Sequence, residues 1–189
     1  FPEDFGRSWK ILFSHPQDYT PVCTTELLEL AYMQSEFESL GVKIAVISVD
    51  NIKQHKSWKL HLESINFKDR GLQEIHFPIF EDPDAKSSIK YGMLHKPTST
   101  SKDVRGVYVI DSDNVVRSIN FYPVDIGRNM KEIVRIVKAL KTADQEELVA
   151  TPVNWEKGDD LILLYKPFNS EQYKKKKKKY DDQYYSLGD

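Results

Sequence analysis

The sequence predicts an α/β sandwich in which a mixed central sheet is flanked by helices, with an arm appended at the C-terminal end. Three observations carry this reading. Strand-like and helix-like periods alternate along most of the chain; the second strand is apolar almost without interruption; and a turn-joined pair of strands breaks the alternation before the last helix. Unbroken apolarity implies burial on both faces, so helices are expected above and below that strand.

The first strand is KILFSH, Lys10 to His15, a short apolar run ended by His-Pro. A loop holding the chain's single cysteine follows. From Thr24 to Leu40, Leu27, Leu30, Ala31, Phe37 and Leu40 recur at helical spacing, with Glu26 in the first turn and Gly41 placed to end the helix. VKIAVISVD, Val42 to Asp50, is the β-branched buried strand, and the next segment supplies a helix with Ile52, Trp58, Leu62 and Ile65 inward. HFPIF reads as a third strand. DPDAKSSIKYG then reads as a short helix, with Asp82 as N-cap and Pro83 at its first position. VRGVYVIDSDNVVRSINFY is a hairpin turning on DSDN, and a last helix starts at Asn129, with Ile133, Ile136, Val137 and Leu140 on one face. Parallel crossings combined with an antiparallel hairpin are the arrangement of the thioredoxin-like class.

Residues 1–148 are expected to form this domain. Residues 149–172 read as an arm: Trp155, Leu161, Ile162, Leu163, Leu164 and Phe168 are apolar, with no helix or hairpin apparent to bury them, and a dimer contact would do so. Residues 173–189 begin with a lysine run whose charges repel one another, and no buried face can be drawn there, so a disordered tail is expected.

Charge narrows the partners. With 27 basic against 29 acidic residues the chain offers no global attraction for nucleic acid or an anionic membrane. No apolar run is long enough for an integral membrane span, and FPEDF lacks the basic and apolar regions of a signal peptide. One cysteine allows no internal disulfide and too few thiolates for a cysteine-built metal site, so neither metal nor cofactor is expected, and a reducing, cytoplasmic location fits best.

Cys23 lies in HPQDYTPVCTTE at a helix start, where unpaired N–H groups and the dipole favour an anion. At its ordinary pKa only about 3% of a thiol is the nucleophilic thiolate at pH 7, so that help matters. Thr20 can turn a hydroxyl toward the sulfur or a bound oxygen, and Pro21 holds Thr20 extended. Taken alone, an unpaired cysteine beside Val22 is more often a small buried hydrophobe.

Pro16, Thr20 and Cys23 spell PxxxTxxC, which resembles the peroxiredoxin signature, and FSHPQDYTPVCTTE is similar to the active-site segment of the one-cysteine (peroxiredoxin 6) class. Further likeness lies in VRGVYVID with Arg105, YPVDIGRN with Arg128 and VATPVNWEKGD, so the resemblance spans roughly residues 5–170. It implies a peroxidase reducing hydrogen peroxide and organic hydroperoxides. Cys23 would be the nucleophile that becomes sulfenic acid, Thr20 would hydrogen-bond the peroxide, and Arg105 would hold the thiolate and stabilise the departing oxygen. Pro16 and His15 would support the site, and Arg128 would either orient it or merely cap a helix and form a salt bridge. With no second cysteine the sulfenic acid needs an external thiol, from glutathione or a thioredoxin system, and the class implies a homodimer.

Some members of that class are also phospholipases through a GxSxG-like element. Here the stretch is Gly6-Arg7-Ser8-Trp9-Lys10, with Asp113 as a possible acid; Lys10 in place of the second glycine, and no histidine upstream, argue against activity at Ser8. A thioredoxin-type oxidoreductase falls for want of CxxC. A non-catalytic binding or redox-sensing module on the same fold is the rival that sequence leaves open.

Overall fold

β1 (Trp9–Ser14) is buried along its whole length and forms the centre of a five-stranded sheet of order β3-β2-β1-β4-β5. The computed structural model describes residues 1–95, 99, 101–146, 149–164 and 184–185. β2 (Val42–Ser48) runs parallel to β1 with Trp9 opposite Val42, and β3 (Ile79–Glu81) runs parallel to β2. On the other side β4 (Arg105–Ile110) is antiparallel to β1 and to β5 (Val116–Tyr122), the edge strand. The mixed thioredoxin-like sheet is therefore as the alternation and the hairpin predicted.

The flanking helices are α1 (Pro21–Ser39), α2 (Ile52–Glu63) and the short α3 (Lys86–Lys90). α1 begins three residues before the predicted start, because Pro21 takes the first helical position, where a missing N–H costs nothing. α2 is capped by Asn51, whose side chain accepts from the Gln54 N–H. Trp58 and Leu62 of α2 are buried as expected, but Ile52 is exposed and His55 is buried in its stead. The third strand is shorter than HFPIF suggests: Pro78 has no N–H to give a ladder, and its carbonyl accepts from Val46 N at 3.0 Å. α3 starts after Ala85 rather than at Pro83. Asp82 still serves its N-terminus from outside, accepting from Ser87 N at 3.1 Å and from Ser88 N at 2.7 Å. A cluster of Leu12, Ala45, Ile47, Met93, Tyr108 and Ile110 packs one face of the sheet.

The chain divides into two compact units, Phe1–Met130 and Lys131–Asp189. The second contains α4 (Met130–Gln145) almost entirely, with β6 (Val149–Ala150), β7 (Leu161–Leu163) and β8 (Tyr184–Tyr185). The arm was expected to lack a hairpin, yet β6 and β7 pair antiparallel, and Val149, Trp155, Leu161 and Leu163 bury one another against Ala139. Tyr184 and Tyr185, within residues 173–189, add β8 parallel to β7; the lysine run itself lies outside the described residues. No helix among the described residues is long and apolar enough to cross a membrane.

Candidate active site

The site is assembled where the C-terminal end of β1, the start of β4 and the first turn of α1 meet. Ser14 closes β1 by donating its hydroxyl to the Val104 carbonyl at 2.7 Å and accepting from Gly106 N at 2.8 Å. Position 106 must be glycine, since a Cβ there would lie 2.8 Å from the Ser14 hydroxyl. This stitch fixes Arg105 at the mouth of β4.

From that position Arg105 Nη1 donates to Cys23 Sγ at 3.2 Å and to Glu26 Oε2 at 2.8 Å, while its Nε and Nη2 donate to the Val124 carbonyl at 3.1 and 2.5 Å. Two residues 82 apart in sequence are thus in direct contact. Cys23 occupies the first turn of α1 and is fully buried. Glu26, one helical turn on, shares its face.

Arg128 engages the same carboxylate. Its backbone N–H and Nε donate to Glu26 Oε1 at 2.8 and 3.0 Å, its Nη2 to Oε2 at 2.8 Å, and its Nη1 to the carbonyls of Ser14 and Gly106, both at 2.9 Å. Of the two readings the sequence allowed for Arg128, the geometry goes beyond a surface salt bridge: the guanidinium is buried, lies over the Phe13 ring and ties β1, β4 and α1 together. Burial pushes the Glu26 carboxyl up, but Arg128 and then Arg105 more than offset it, holding the group below its ordinary range.

Thr20 is the N-cap residue of α1, yet its hydroxyl donates to the Gln17 carbonyl at 2.9 Å rather than to the helix. Its proton is therefore committed, and its lone pairs remain to accept a hydrogen bond. Tyr19 before it has φ of 59°, an uncommon conformation for a bulky residue, which turns the chain into the helix. Thr20 and Arg105 line a cleft of about 500 Å³ whose apolar lining includes Pro16, Pro21 and Val124.

His15 is fully buried and hydrogen-bonds Asp18 through Nε2 at 2.8 Å; among the described residues it makes no hydrogen bond to the sulfur. Asp18 also receives His55 Nδ1 at 2.7 Å, and its backbone N–H donates to Asp50. Burial lowers the His15 pKa against the pull of Asp18, so its ring is neutral at pH 7. The Asp18 carboxyl, pushed up by burial, is drawn below its ordinary value by the two histidines. His15 thus anchors the loop carrying Thr20 and Cys23. His15, Asp18 and Asp50 stand close enough to meet one ion, but each Asp18 oxygen already faces a histidine nitrogen.

Sequence reasoning left Glu26 as a first-turn acid and did not assign Asp18 or His55. The i+3 spacing of Glu26 from Cys23 was the available signal; His55 had none, standing with His61 on a largely polar helix. Ser8 lies at the entry to β1. Its suggested partner Asp113 accepts from Arg7 at 2.8 Å in an exposed ion pair, and no histidine among the described residues hydrogen-bonds either side chain.

Comparison with known proteins gives a consistent picture. The AhpC/TSA family matches residues 3–119, and the C-terminal domain of 1-Cys peroxiredoxin matches residues 139–182. A peroxiredoxin of Methanosarcina mazei is 44% identical over 164 residues, 86% of this chain and 74% of the relative. Among solved structures, a cysteine-to-serine variant of the peroxiredoxin 6 of Arenicola marina superposes with a TM-score of 0.82 at 32% identity, covering 92% of this chain and 78% of the other. A yeast mitochondrial 1-Cys peroxiredoxin, described with thiol resolution via glutathione/thioredoxin systems, gives 0.76 at 36% identity over 84% and 75% of the two chains.

Proposed function

The chain belongs to the AhpC/TSA family and is a peroxiredoxin, a thiol-dependent peroxidase, and we propose that it reduces hydrogen peroxide and organic hydroperoxides at Cys23 by a one-cysteine cycle. The observation that carries this reading is the contact from Arg105 Nη1 to Cys23 Sγ, with the same guanidinium anchored on Glu26. A guanidinium N–H aimed at sulfur favours negative charge there and waits, already oriented, for the charge that develops on the leaving oxygen.

In the first step the Cys23 thiolate attacks the terminal oxygen of the hydroperoxide. The S–O bond forms as the O–O bond breaks, and the departing alkoxide or hydroxide takes a proton to leave as alcohol or water. Thr20, its own proton given to Gln17, accepts the peroxide O–H and sets the line of attack. The product is the sulfenic acid of Cys23. An external thiol condenses with it, releasing water and leaving a mixed disulfide, and a second thiol frees Cys23 and departs as the oxidised disulfide. Such a cycle suits a reducing cytosol. The glutathione and thioredoxin link of the yeast relative supports such a reductant, and we extend the one-cysteine reading to a homodimer, whose mass light scattering would report at micromolar concentration.

Peroxide consumption with dithiothreitol, present in the wild type and absent in Cys23→Ser, tests the nucleophile. Intact mass after one equivalent of peroxide without thiol should show one added oxygen on a monomer-sized chain, and glutathione should then convert it to a mixed disulfide. Activity surviving in Cys23→Ser, or rapid near-complete disulfide-linked dimer at that first equivalent, would overturn the mechanism.

A further inference from the structure

The cleft lined by Thr20 and Arg105 is much larger than hydrogen peroxide requires. Its volume is about 500 Å³, whereas a water molecule's share of the liquid is roughly 30 Å³ and a peroxide needs on the order of twice that. Its lining is also mixed. Beside Thr20 and Arg105, Pro16, Pro21, Val22 and Val124 supply apolar surface, and Gln17, Ser99 and Lys102 supply further polar groups. An apolar chain that carries a second polar group would match that composition better than a compact neutral molecule.

Of the cationic side chains that line the cleft, Lys102 is the one with no carboxylate partner among the described residues. Arg105 and Arg128 are both paired with buried Glu26. Lys102 is exposed, and its ammonium donates to a neutral acceptor, Gln17 Oε1, at 2.5 Å. No carboxylate among the described residues forms a salt bridge with it, and the neighbouring Asp103 is fully buried. An ammonium has three donors, and the Gln17 bond uses one.

Resting on the peroxidase reading above, we propose that Lys102 makes this site selective for organic hydroperoxides that end in a carboxylate separated from the peroxide by an apolar segment. The carboxylate would pair with the Lys102 ammonium, the apolar segment would lie along the prolines and valines, and the peroxide would reach Thr20 and Arg105. Lys102 is then a positioning residue. It lends binding energy to one class of substrate and takes no part in breaking the O–O bond.

The test compares kcat/KM for linoleic acid hydroperoxide with that for its methyl ester, both below micelle formation and at low ionic strength. The wild type should favour the acid by about threefold, the scale of a partly exposed ion pair. Lys102→Met should bring the ratio to about one through KM, Lys102→Glu should reverse it, and Lys102→Arg should retain it. Raising the salt should erode the wild-type preference, as screening requires. A wild-type ratio near one, or a ratio in Lys102→Met equal to that of the wild type, overturns the proposal. Hydrogen peroxide turnover that depends on Cys23 keeps the two ideas apart: its absence sinks the peroxidase reading, whereas its presence with a ratio indifferent to residue 102 sinks only the role of Lys102. Circular dichroism of each variant excludes loss of fold as the cause.

Discussion

Replacing Glu26 with glutamine separates the charge of this residue from the space it fills. The carboxylate accepts four hydrogen bonds, one from Arg105 Nη1 and three from the backbone N–H, Nε and Nη2 of Arg128, at 2.8 to 3.0 Å. An amide in the same place accepts at only one terminal atom. Whichever way it is turned, two of these bonds are lost, an NH₂ group faces guanidinium donors, and two buried cations lack their counter-charge. Two charge-assisted bonds at about 1.5 to 3 kcal/mol each give roughly 3 to 6 kcal/mol, and breaking a buried ion pair by removing one partner costs about 3 to 5 kcal/mol. The two routes agree, so urea unfolding of Glu26→Gln should show a loss of about 4 kcal/mol, a midpoint shift of roughly 2 M. Peroxide reduction should fall on the order of a hundredfold in kcat/KM, since Arg105 loses the anchor that aims Nη1 at sulfur. The acid limb adds a signature. The folded Glu26 carboxyl titrates below its ordinary value of 4.5, so its stabilisation is present above that pH and is lost as pH falls through the folded value. The variant should lose less stability over that range than the wild type. A stability change under about 1 kcal/mol with kcat/KM within threefold would refute the argument. Lost stability with full activity would show that the Val124 carbonyl alone suffices to aim Arg105.

Arg105→Lys keeps the charge but cannot bond Sγ, Glu26 and the Val124 carbonyl at once, so kcat/KM should drop by about a hundredfold; alkylation of Cys23 by iodoacetamide at pH 7 should also slow, and an unchanged rate would remove Arg105 from the account. Asp103 is fully buried, and its neighbour Ser88 gives its hydroxyl to Asp82 at 2.7 Å; burial, with Asp82 and Asp50 adding to it, pushes the Asp103 carboxyl up to about 7 from 3.8. The folded chain then holds a proton that the unfolded chain releases between those values, so stability falls as pH rises through that window and the full penalty, a few kcal/mol, stands above it. Asp103→Asn should flatten this slope and gain stability at pH 8; urea midpoints at pH 5 and pH 8 that differ equally in both proteins would contradict it.

The alternation of periods revealed the sheet because β1 and β2 are buried along nearly their whole length and so had to be written in apolar residues. Boundaries went astray where one residue's chemistry overruled the pattern: Pro78 shortened β3, and Asp82 capped α3 across a turn instead of from the adjacent position. The β6–β7 pair was missed because two and three residues are too few to show a period. In the site, PxxxTxxC pointed to Cys23 and Thr20, since neighbours in sequence meet in one loop. The full ion-pair cage was illegible for the opposite reason: the resemblance reached Arg105 and Arg128 but not the Glu26 that joins them. Glu26, Arg105 and Arg128 are brought together by strand order and by the Ser14 stitch, and each alone has the composition of an ordinary surface charge.

On the proposed cycle the same arrangement would let a single thiol be both guarded and renewed. Cys23 is fully buried, so on the proposed cycle its sulfenic acid would form shielded from the sulfur of a second chain. An external thiol would need the first turn of α1 to yield. That turn is lightly held at its start. Pro21 contributes no N–H, the Thr20 hydroxyl is spent on Gln17 rather than on a helix N–H, and the first backbone bond there is Thr24 N to Thr20 O at 2.9 Å. One turn further on, Glu26 is fixed by two arginines. Opening the residues before Glu26 therefore disturbs few bonds, while opening beyond it would cost the whole cage. Cys23 sits on the weak side of that boundary, which on the proposed cycle would let the sulfur emerge for reduction without dismantling the groups that must receive it back.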